Sequence, residues 1–507
     1  MAHYLDADLQ PWATALAAAL FVEPAFRAAA AGAQPSHQLG ANSAQAEAEL
    51  ASNHLSVWQA TWRRLDELAR LGGATDAVLR AWHLPLREQL PLTPAQWQPA
   101  VISSHAADGA LTLDFATAAA CRSAMHGMHA VHTLSLECTT PWQARLLPDA
   151  LEISLTLHAV ATMHALRSLA MNLCQRACTR VVEALSPALA NLPQLSSLRL
   201  RGCAAGAVAL APLLSSLTAL TALDLVSNQI GAAGVAAVAP ALRHLSRLAD
   251  LPLYGNRFGN RFGAAGATAL APQLSSLTSL TVLYIGSNHL GDAGAAALAA
   301  PLCRLSRLVF LDLPFNHIGA AGAAVLAPAV AVLTALKLLG LRGNPFGDAG
   351  AVALAPALRP LSQLAALQLA ALQLIGDTGT TALAQHLGAL TALTLLDLQE
   401  NVLGDAGAVA LAPALSRLSR LAALVLTSNS IGAAGAAALA QPLGALTNLT
   451  TLLLDRNKVA DAGAEALAPA LSCLPQKEVL LFDHNALSDT GLARLTPALV
   501  NLTNSLG

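Results

Sequence analysis

The sequence predicts an α/β solenoid: a parallel sheet of short strands on one side, helices on the other, behind a helical N-terminal region. Three observations predict it. Asn228, Asn256, Asn288, Asn316, Asn344, Asn401, Asn429, Asn457 and Asn485 head the same phrase, at intervals of 28 except for one of 32 and one of 57. Ahead of each asparagine, leucine and a second large apolar residue, mostly leucine, stand two apart, as Leu223 and Leu225 do in LTALDLVSN (220–228). Behind each comes a glycine-bounded, alanine-rich run, as in GDAGAAALAAPL (291–302). A fixed period of about 20–29 residues marks a stack of small units that bury one another's faces. A chain of 507 residues then need not divide into separate globules.

Each part of the phrase has a physical job. Residues two apart on a strand share a face, so Leu223 and Leu225 point into the core when neighbouring coils align as a parallel sheet. The asparagine amide satisfies backbone groups at the corner where the strand ends. The glycines at 231, 291 and 319 suit a turn that disfavours a Cβ. The aspartate in Gly-Asp-Ala-Gly at 291–294, 347–350 and 404–407 is placed as the N-cap of the helix that follows. Helices need about 8–10 Å each and strands only about 4.8 Å, so the stack is expected to bend into a horseshoe with strands on the concave side. Prolines at 212, 240, 272, 328, 356, 413, 469 and 497 recur in the helical run. Their missing N–H predicts a kink or a short helix on the solvent side.

The irregular intervals have readable causes. Gly-Asn-Arg-Phe is written twice, at 255–258 and 259–262, so the interval of 32 is one period plus a four-residue slip. Asn256 keeps the upstream register and Asn260 the downstream one. A phosphate-binding loop is the other reading, but no Gly-Lys-Ser/Thr follows. The interval of 57 contains AALQLAALQL (365–374), where Leu372 or Gln373 falls near the asparagine's place. Upstream, LRSLAMNLC (166–174) and LSSLRLRGC (195–203) carry Cys174 and Cys203 at that place, and VHTLSLECT (131–139) is fainter. The expected organisation is a helical region over 1–89, a segment over 90–127, degenerate leading coils over 128–203 and regular coils over 204–507.

The phrase resembles the leucine-rich repeat. Its hexamer Gly-Ala-x-Ala-Leu-Ala, at 206–211, 266–271, 294–299, 350–355, 407–412, 435–440 and 463–468, resembles the GALA group of bacterial type III effectors. Ribonuclease-inhibitor-like and NOD-like receptor repeats are similar too. The stretch 90–125 resembles an F-box, carrying Leu90, Pro91, Ile102, Phe115, Cys121 and Arg122, with Thr93 and Pro94 where an acidic residue is usual. The GALA resemblance implies a secreted effector that docks a Skp1-type ubiquitin-ligase adaptor through this stretch and a target protein through its repeats. A plain helical cap over the first coil is the other reading of 90–127. An intracellular regulatory or inhibitory repeat protein is then the alternative function.

Composition narrows the classes. With 28 basic and 30 acidic residues the net charge is −2, which gives no field to attract nucleic acid or anionic membrane. The mean hydropathy of +0.52 is high, yet the uncharged run 264–291 contains Pro272, Gln273 and Asn288 at periodic intervals and is not expected to span a membrane. Asp6 and Asp8 stand where a secretion signal has a basic region, and seven scattered cysteines do not make a disulfide framework. The expected location is the cytosol, that of a host cell in the effector reading.

His126, His129, His132, His158 and His164 lack the companions that would complete a metal site. No nucleophile elbow, zinc-protease motif or phosphate loop occurs. No cofactor and no enzymatic activity are expected.

The candidate site follows by counting back from the asparagine. Positions six, four and two before it face outward and are not needed for the fold. Most coils hold small or polar residues there, but the middle coils hold Tyr254, Val282, Tyr284, Phe310 and Leu338, flanked by Asp250, Asp312, Arg342 and Asp397. Tyrosine and arginine anchor protein interfaces, and an exposed apolar patch points to a partner. Stacking of neighbouring side chains across the sheet is the alternative.

Overall fold

The computed structural model describes residues 110–114, 131–137, 160–172, 189–201 and 207–499, apart from 161, 190, 227, 229, 255–260, 373–374 and 475–478. All of these fall in one compact unit, Leu92–Gly507. Among the described residues, 14 parallel strands form a single sheet in chain order. They are β1 (Ala110–Asp114), β2 (Thr133–Glu137), β3 (Ser168–Asn172), β4 (Ser197–Arg201), β5 (Ala222–Asp224), β6 (Asp250–Pro252) and β7 (Val282–Tyr284). The rest are β8 (Phe310–Asp312), β9 (Leu338–Gly340), β10 (Ala366–Gln368), β11 (Leu395–Asp397), β12 (Ala423–Val425), β13 (Thr451–Leu453) and β14 (Val479–Leu481). From β4 onward a helix follows each strand. These are α1 (Ala207–Ser216), α2 (Gly231–Leu242), α3 (Gly263–Leu274), α4 (Gly291–Leu302), α5 (Ala320–Val332) and α6 (Gly347–Leu358). Then come α7 (Asp377–Leu387), α8 (Asp405–Leu415), α9 (Ala433–Ala445), α10 (Ala460–Ser472) and α11 (Asp489–Leu499).

The leucines lie where their spacing put them. Leu223, Leu283, Leu311, Leu339, Leu367, Leu396, Leu424 and Leu452 form a buried row beneath the sheet. Register pairs each with its neighbour from Leu251 to Leu480. Each such burial contributes roughly 1.5–3 kcal/mol. On the helices, the hexamer is the inward stripe: Gly294, Ala295, Leu298 and Leu302 of α4 are buried, and the equivalents recur in α6 and α8. Its small residues set how closely the helices approach. A Cβ on Gly350 would meet the Ala320 Cα of the preceding helix at 3.3 Å and Phe346 at 2.7 Å.

One strand begins earlier than the sequence reading allowed. Ala110–Asp114, inside the 90–127 segment expected to be helical, is β1 and pairs with β2 from Ala110↔Thr133 to Asp114↔Glu137. The alternation Leu111, Leu113 puts these leucines in register with Leu134 and Leu136. That strand-period signal outweighs the helical reading of the stretch. Leu90, Pro91, Ile102, Phe115, Cys121 and Arg122 lie outside the described residues, as do 1–89, Cys174, Cys203 and most of the duplicated Gly-Asn-Arg-Phe. From the second copy, Phe262 is buried and Arg261 is left-handed at φ 45°, matching Leu290 and His289 (φ 57°) of the next coil.

The asparagines form a ladder between coils as well as within them. Asn316 Nδ2 donates to Leu313 O of its own coil (3.1 Å) and to Ile285 O of the previous one (2.8 Å). Its Oδ1 accepts from Asn288 N at 2.9 Å. Asn344, Asn401, Asn429, Asn457 and Asn485 repeat the two donations. Leu372 takes the missing rung: Ala371 before it is left-handed (φ 52°), as Phe315 and Glu400 are before their asparagines, and Leu372 O accepts from Gly347 N.

The aspartates cap helices, but not their own. Asp292, on α4, accepts from Gly319 N (2.6 Å) and Gly322 N (3.0 Å) at the start of α5. Asp348, Asp377 and Asp405 likewise cap α7, α8 and α9. Asp461 accepts from Ser488 N and Ser488 Oγ ahead of α11. The capped starts are extended, with φ −90°, −96°, −91° and −97° at Gly319, Gly376, Gly404 and Gly432. Where the preceding coil has alanine instead, the start is left-handed: φ is 60° at Gly291, 55° at Gly347 and 53° at Ala460. There the glycine N–H turns to a main-chain carbonyl of the next coil, as Gly291 N does to Asn316 O (2.9 Å). An aspartate side chain therefore decides the backbone of the following coil.

The prolines sit late in their helices. Pro240, Pro272, Pro328, Pro356, Pro413 and Pro469 are exposed, and each helix ends within a turn of its proline. The short-helix alternative describes them. At these six positions the lost N–H lies on the solvent side, where water replaces the bond at little cost, whereas Pro301 of α4 and Pro442 of α9 are buried.

Candidate functional site

The outward face of the sheet is read row by row from its register. One row runs Asp250, Val282, Phe310, Leu338, Ala366, Leu395 along β6–β11. The next runs Pro252, Tyr284, Asp312, Gly340, Gln368, Asp397. Val282, Phe310 and Leu338 are thus direct neighbours and make a half-buried apolar strip. Short strands, three residues each, leave these side chains nothing to pack on but one another and whatever lies above them.

Tyr254, just beyond β6, is drawn into the same patch. Its ring meets Tyr284 edge-to-face, with centroids 6.4 Å apart and planes at 68°. Burial pushes the Tyr284 hydroxyl above its ordinary pKa, and the charges of Asp312 and Asp250 push it further. Asp312 lies over Gly340, its Oδ1 occupying the space a Cβ there would need. Burial raises Asp312 to about 6. Asp250 is raised by burial and by Asp224, against a lowering by Arg199. Burial also raises Asp397, while Gln399 N–H (3.0 Å) and Arg342 oppose it.

Arg342 belongs to the loop leaving β9. Its guanidinium stands 5.9 Å from the Phe315 ring centroid, and its Nε is buried without a hydrogen-bond partner. Phe315, 49% exposed, was missed in the sequence. It stands immediately before Asn316, in a column that elsewhere holds Ser287, Gly343, Glu400, Ser428, Arg456 and His484, so its apolar ring was the available signal. Also missed was the His289–His317 stack at 4.8 Å between adjacent loops. At the other end of the face, Asp224 is clasped by Arg199 and Arg201, each at 2.8 Å.

Of the eight expected site residues, the structure places Tyr254, Val282, Tyr284, Phe310, Asp312 and Leu338 together on β6–β9. Arg342 borders them beyond β9, and Asp397 lies two strands further on. Among the described residues no group of His, Cys, Asp or Glu is arranged to hold a metal ion, and no helix is long and apolar enough to cross a membrane.

Residues 216–239, 276–299, 333–355, 389–412, 421–440 and 445–468 match the family described as Leucine Rich repeat. No curated protein sequence matches the chain. Among solved structures, the chain is similar to an internalin from Listeria monocytogenes, with 21% identity over 61% of this chain and 81% of that one, at a TM-score of 0.40. It is similar to a leucine-rich-repeat protein of Leptospira interrogans, with 16% identity over 75% and 96% of the two chains, at 0.42. It is also similar to a chain of the yeast Rad7–Elc1 complex, with 15% identity over 90% and 96%, at 0.40. With its asparagine ladder and its one parallel sheet in chain order, the chain has the fold of a leucine-rich-repeat solenoid, and the matched segments carry that repeat.

Proposed function

We propose that this protein works by binding another protein on the outward face of β6–β9, and that it carries no catalysis of its own. The observation that supports this is the continuity of Tyr254, Val282, Tyr284, Phe310 and Leu338: five large side chains, half-buried, adjacent in register and required by neither the core nor the ladder. Covering such a patch is worth roughly 25 cal/mol per Å² before ordering costs. The test is affinity capture from cell lysate with the full chain and with Tyr284→Ala/Phe310→Ala. The double variant should lose the captured partner while keeping its circular dichroism spectrum. Unchanged capture would move the site off this face.

Two finer readings divide on residues 90–125. The hexamer and the Leu90–Pro91 stretch support an effector delivered into a host cell, which brings the captured protein to a Skp1-type ligase. The incorporation of Ala110–Asp114 into the sheet favours the second reading, a regulatory or inhibitory repeat protein with no ligase link. Capture of a Skp1-type adaptor by the full chain, lost with Leu90→Ala/Pro91→Ala, would decide for the first.

A further inference from the structure

The chemistry of the partner is written in the charges of the same face. Along β6–β11 the outward strand positions hold Asp250, Asp312 and Asp397 and no lysine or arginine. Two cations border them: Arg342, which faces Asp397 and the Phe315 ring, and Arg199, which acts on Asp250 but is paired with Asp224. The contrast with β5 is direct: there Asp224 is fully answered by Arg199 and Arg201 at 2.8 Å. Among the described residues the Asp312 carboxylate has no ion pair and no hydrogen bond, and it is half-buried. An ionised carboxylate so placed is costly unless a cation reaches it.

Directly beside Asp312 and Asp250 stands the Tyr254–Tyr284 pair, whose hydroxyl at Tyr284 feels both carboxylates. Aromatic faces next to carboxylates attract a cation by two additive routes, the ring quadrupole and the ion pair. The strip Val282–Phe310–Leu338 continues from the pair and offers cover for an alkyl stem and an apolar neighbour. Nothing on these strand positions would hold a phosphate, so nucleic acid and anionic lipid are poor occupants.

We propose that the partner is a protein segment that seats a lysine or arginine side chain against Tyr254 and Tyr284, with its charge on Asp312 and Asp250 and apolar residues along Val282–Phe310–Leu338. This rests on the docking reading above and adds the partner's chemistry to it.

The test is selection of random peptides of about twelve residues, displayed on phage, against the full-length protein, with Tyr284→Ala/Phe310→Ala as counter-selection. Selected peptides should be enriched in lysine or arginine next to apolar residues. Replacing that lysine with norleucine, or that arginine with citrulline, should weaken binding about tenfold or more to the native protein and hardly at all to Asp250→Asn/Asp312→Asn, because the variant has already lost the charge partner. Tyr284→Phe, which keeps the ring, should retain most of the affinity, so loss through misfolding is distinguishable from loss of the cation site. If peptides depend on Tyr284 and Phe310 but carry no cation, the docking reading stands and this one is overturned. If no peptide depends on the face, both fall.

Discussion

Replacing Ala433 with aspartate should stabilise the coil that follows it, although residue 433 makes no contact that needs improving. Position 433 is the equivalent of Asp405, whose carboxylate accepts from Gly432 N at 2.7 Å and Gly435 N at 2.8 Å in the next coil. Ala433 offers nothing to α10, so Ala460 is left-handed at φ 53° with no glycine to make that conformation easy. A supplied cap is worth about 0.5–2 kcal/mol. Relief of an L-residue from the left-handed region adds about 1 kcal/mol. Against these stands the ordering of the new side chain. The net expectation is a gain of about 1–2 kcal/mol. Repeat arrays do not unfold as one unit, so the readout is amide hydrogen exchange by mass spectrometry over 459–471, supported by urea denaturation. Exchange there should slow about tenfold while peptides from α4 to α6 stay unchanged. The partner experiment is Asp405→Ala, which should cost only about 1 kcal/mol at α9, because Gly432 can fall back on the left-handed start that Gly291 and Gly347 use. Exchange at 459–471 that is unchanged or faster in Ala433→Asp would refute the idea that the aspartate sets the backbone of the coil after it.

Other outcomes follow from the same structure. Asn316→Ala removes donations to Ile285 O and Leu313 O and an acceptor for Asn288 N, all buried, so it should cost about 2–4 kcal/mol by urea denaturation and loosen the coils on both sides. Two aspartates should respond to acid with opposite signs. Asp461 is held below the usual carboxylate range by the Ser488 hydroxyl and N–H, so its capping of α11 is present at neutral pH and lost as pH falls through that lowered value; exchange at 488–496 should quicken only in strong acid. Asp312 is raised from 3.8 to about 6, so its ionisation works against the fold as pH rises through that window, and Asp312→Asn should flatten the fall in stability between pH 4 and 6.5. Binding of a cationic peptide should strengthen over that same window, read by titration at constant ionic strength, with Asp250 and Tyr284 as the neighbouring titratable groups.

What the sequence disclosed was whatever repeats within one coil. Leucines two apart, the asparagine corner and the inward stripe of each helix depend on spacings of a few residues, and they lie where those spacings put them. What it concealed was whatever one coil does for another. Asp292 follows Gly291 and so reads as a cap for its own helix, whereas the N–H groups it serves are those of Gly319 and Gly322. The strand at Ala110–Asp114 was hidden because its two leucines were read with a helical neighbourhood. At the candidate site, counting from the asparagine found the outward residues, since strand alternation is local. The edge-to-face contact of Tyr254 with Tyr284 and the isolation of Asp312 were not legible, because each depends on a side chain about a coil away.

The aspartate caps give the array a polarity. Each is donated forward, from one coil to the start of the next helix, and none is returned. If the stack frays from its C-terminal side, each aspartate-capped helix that remains keeps its cap, whereas α4 and α6 lose the carbonyl of the next coil that Gly291 N and Gly347 N bond. If coils are lost from the other side, the new leading helix is left with a start shaped for a carboxylate that has gone. At the aspartate-capped starts, unzipping should therefore run more easily in one direction than in the other. A coil copied or deleted in this stretch also changes the helix beyond it, so a workable exchange cuts just before an aspartate that the downstream glycine still requires.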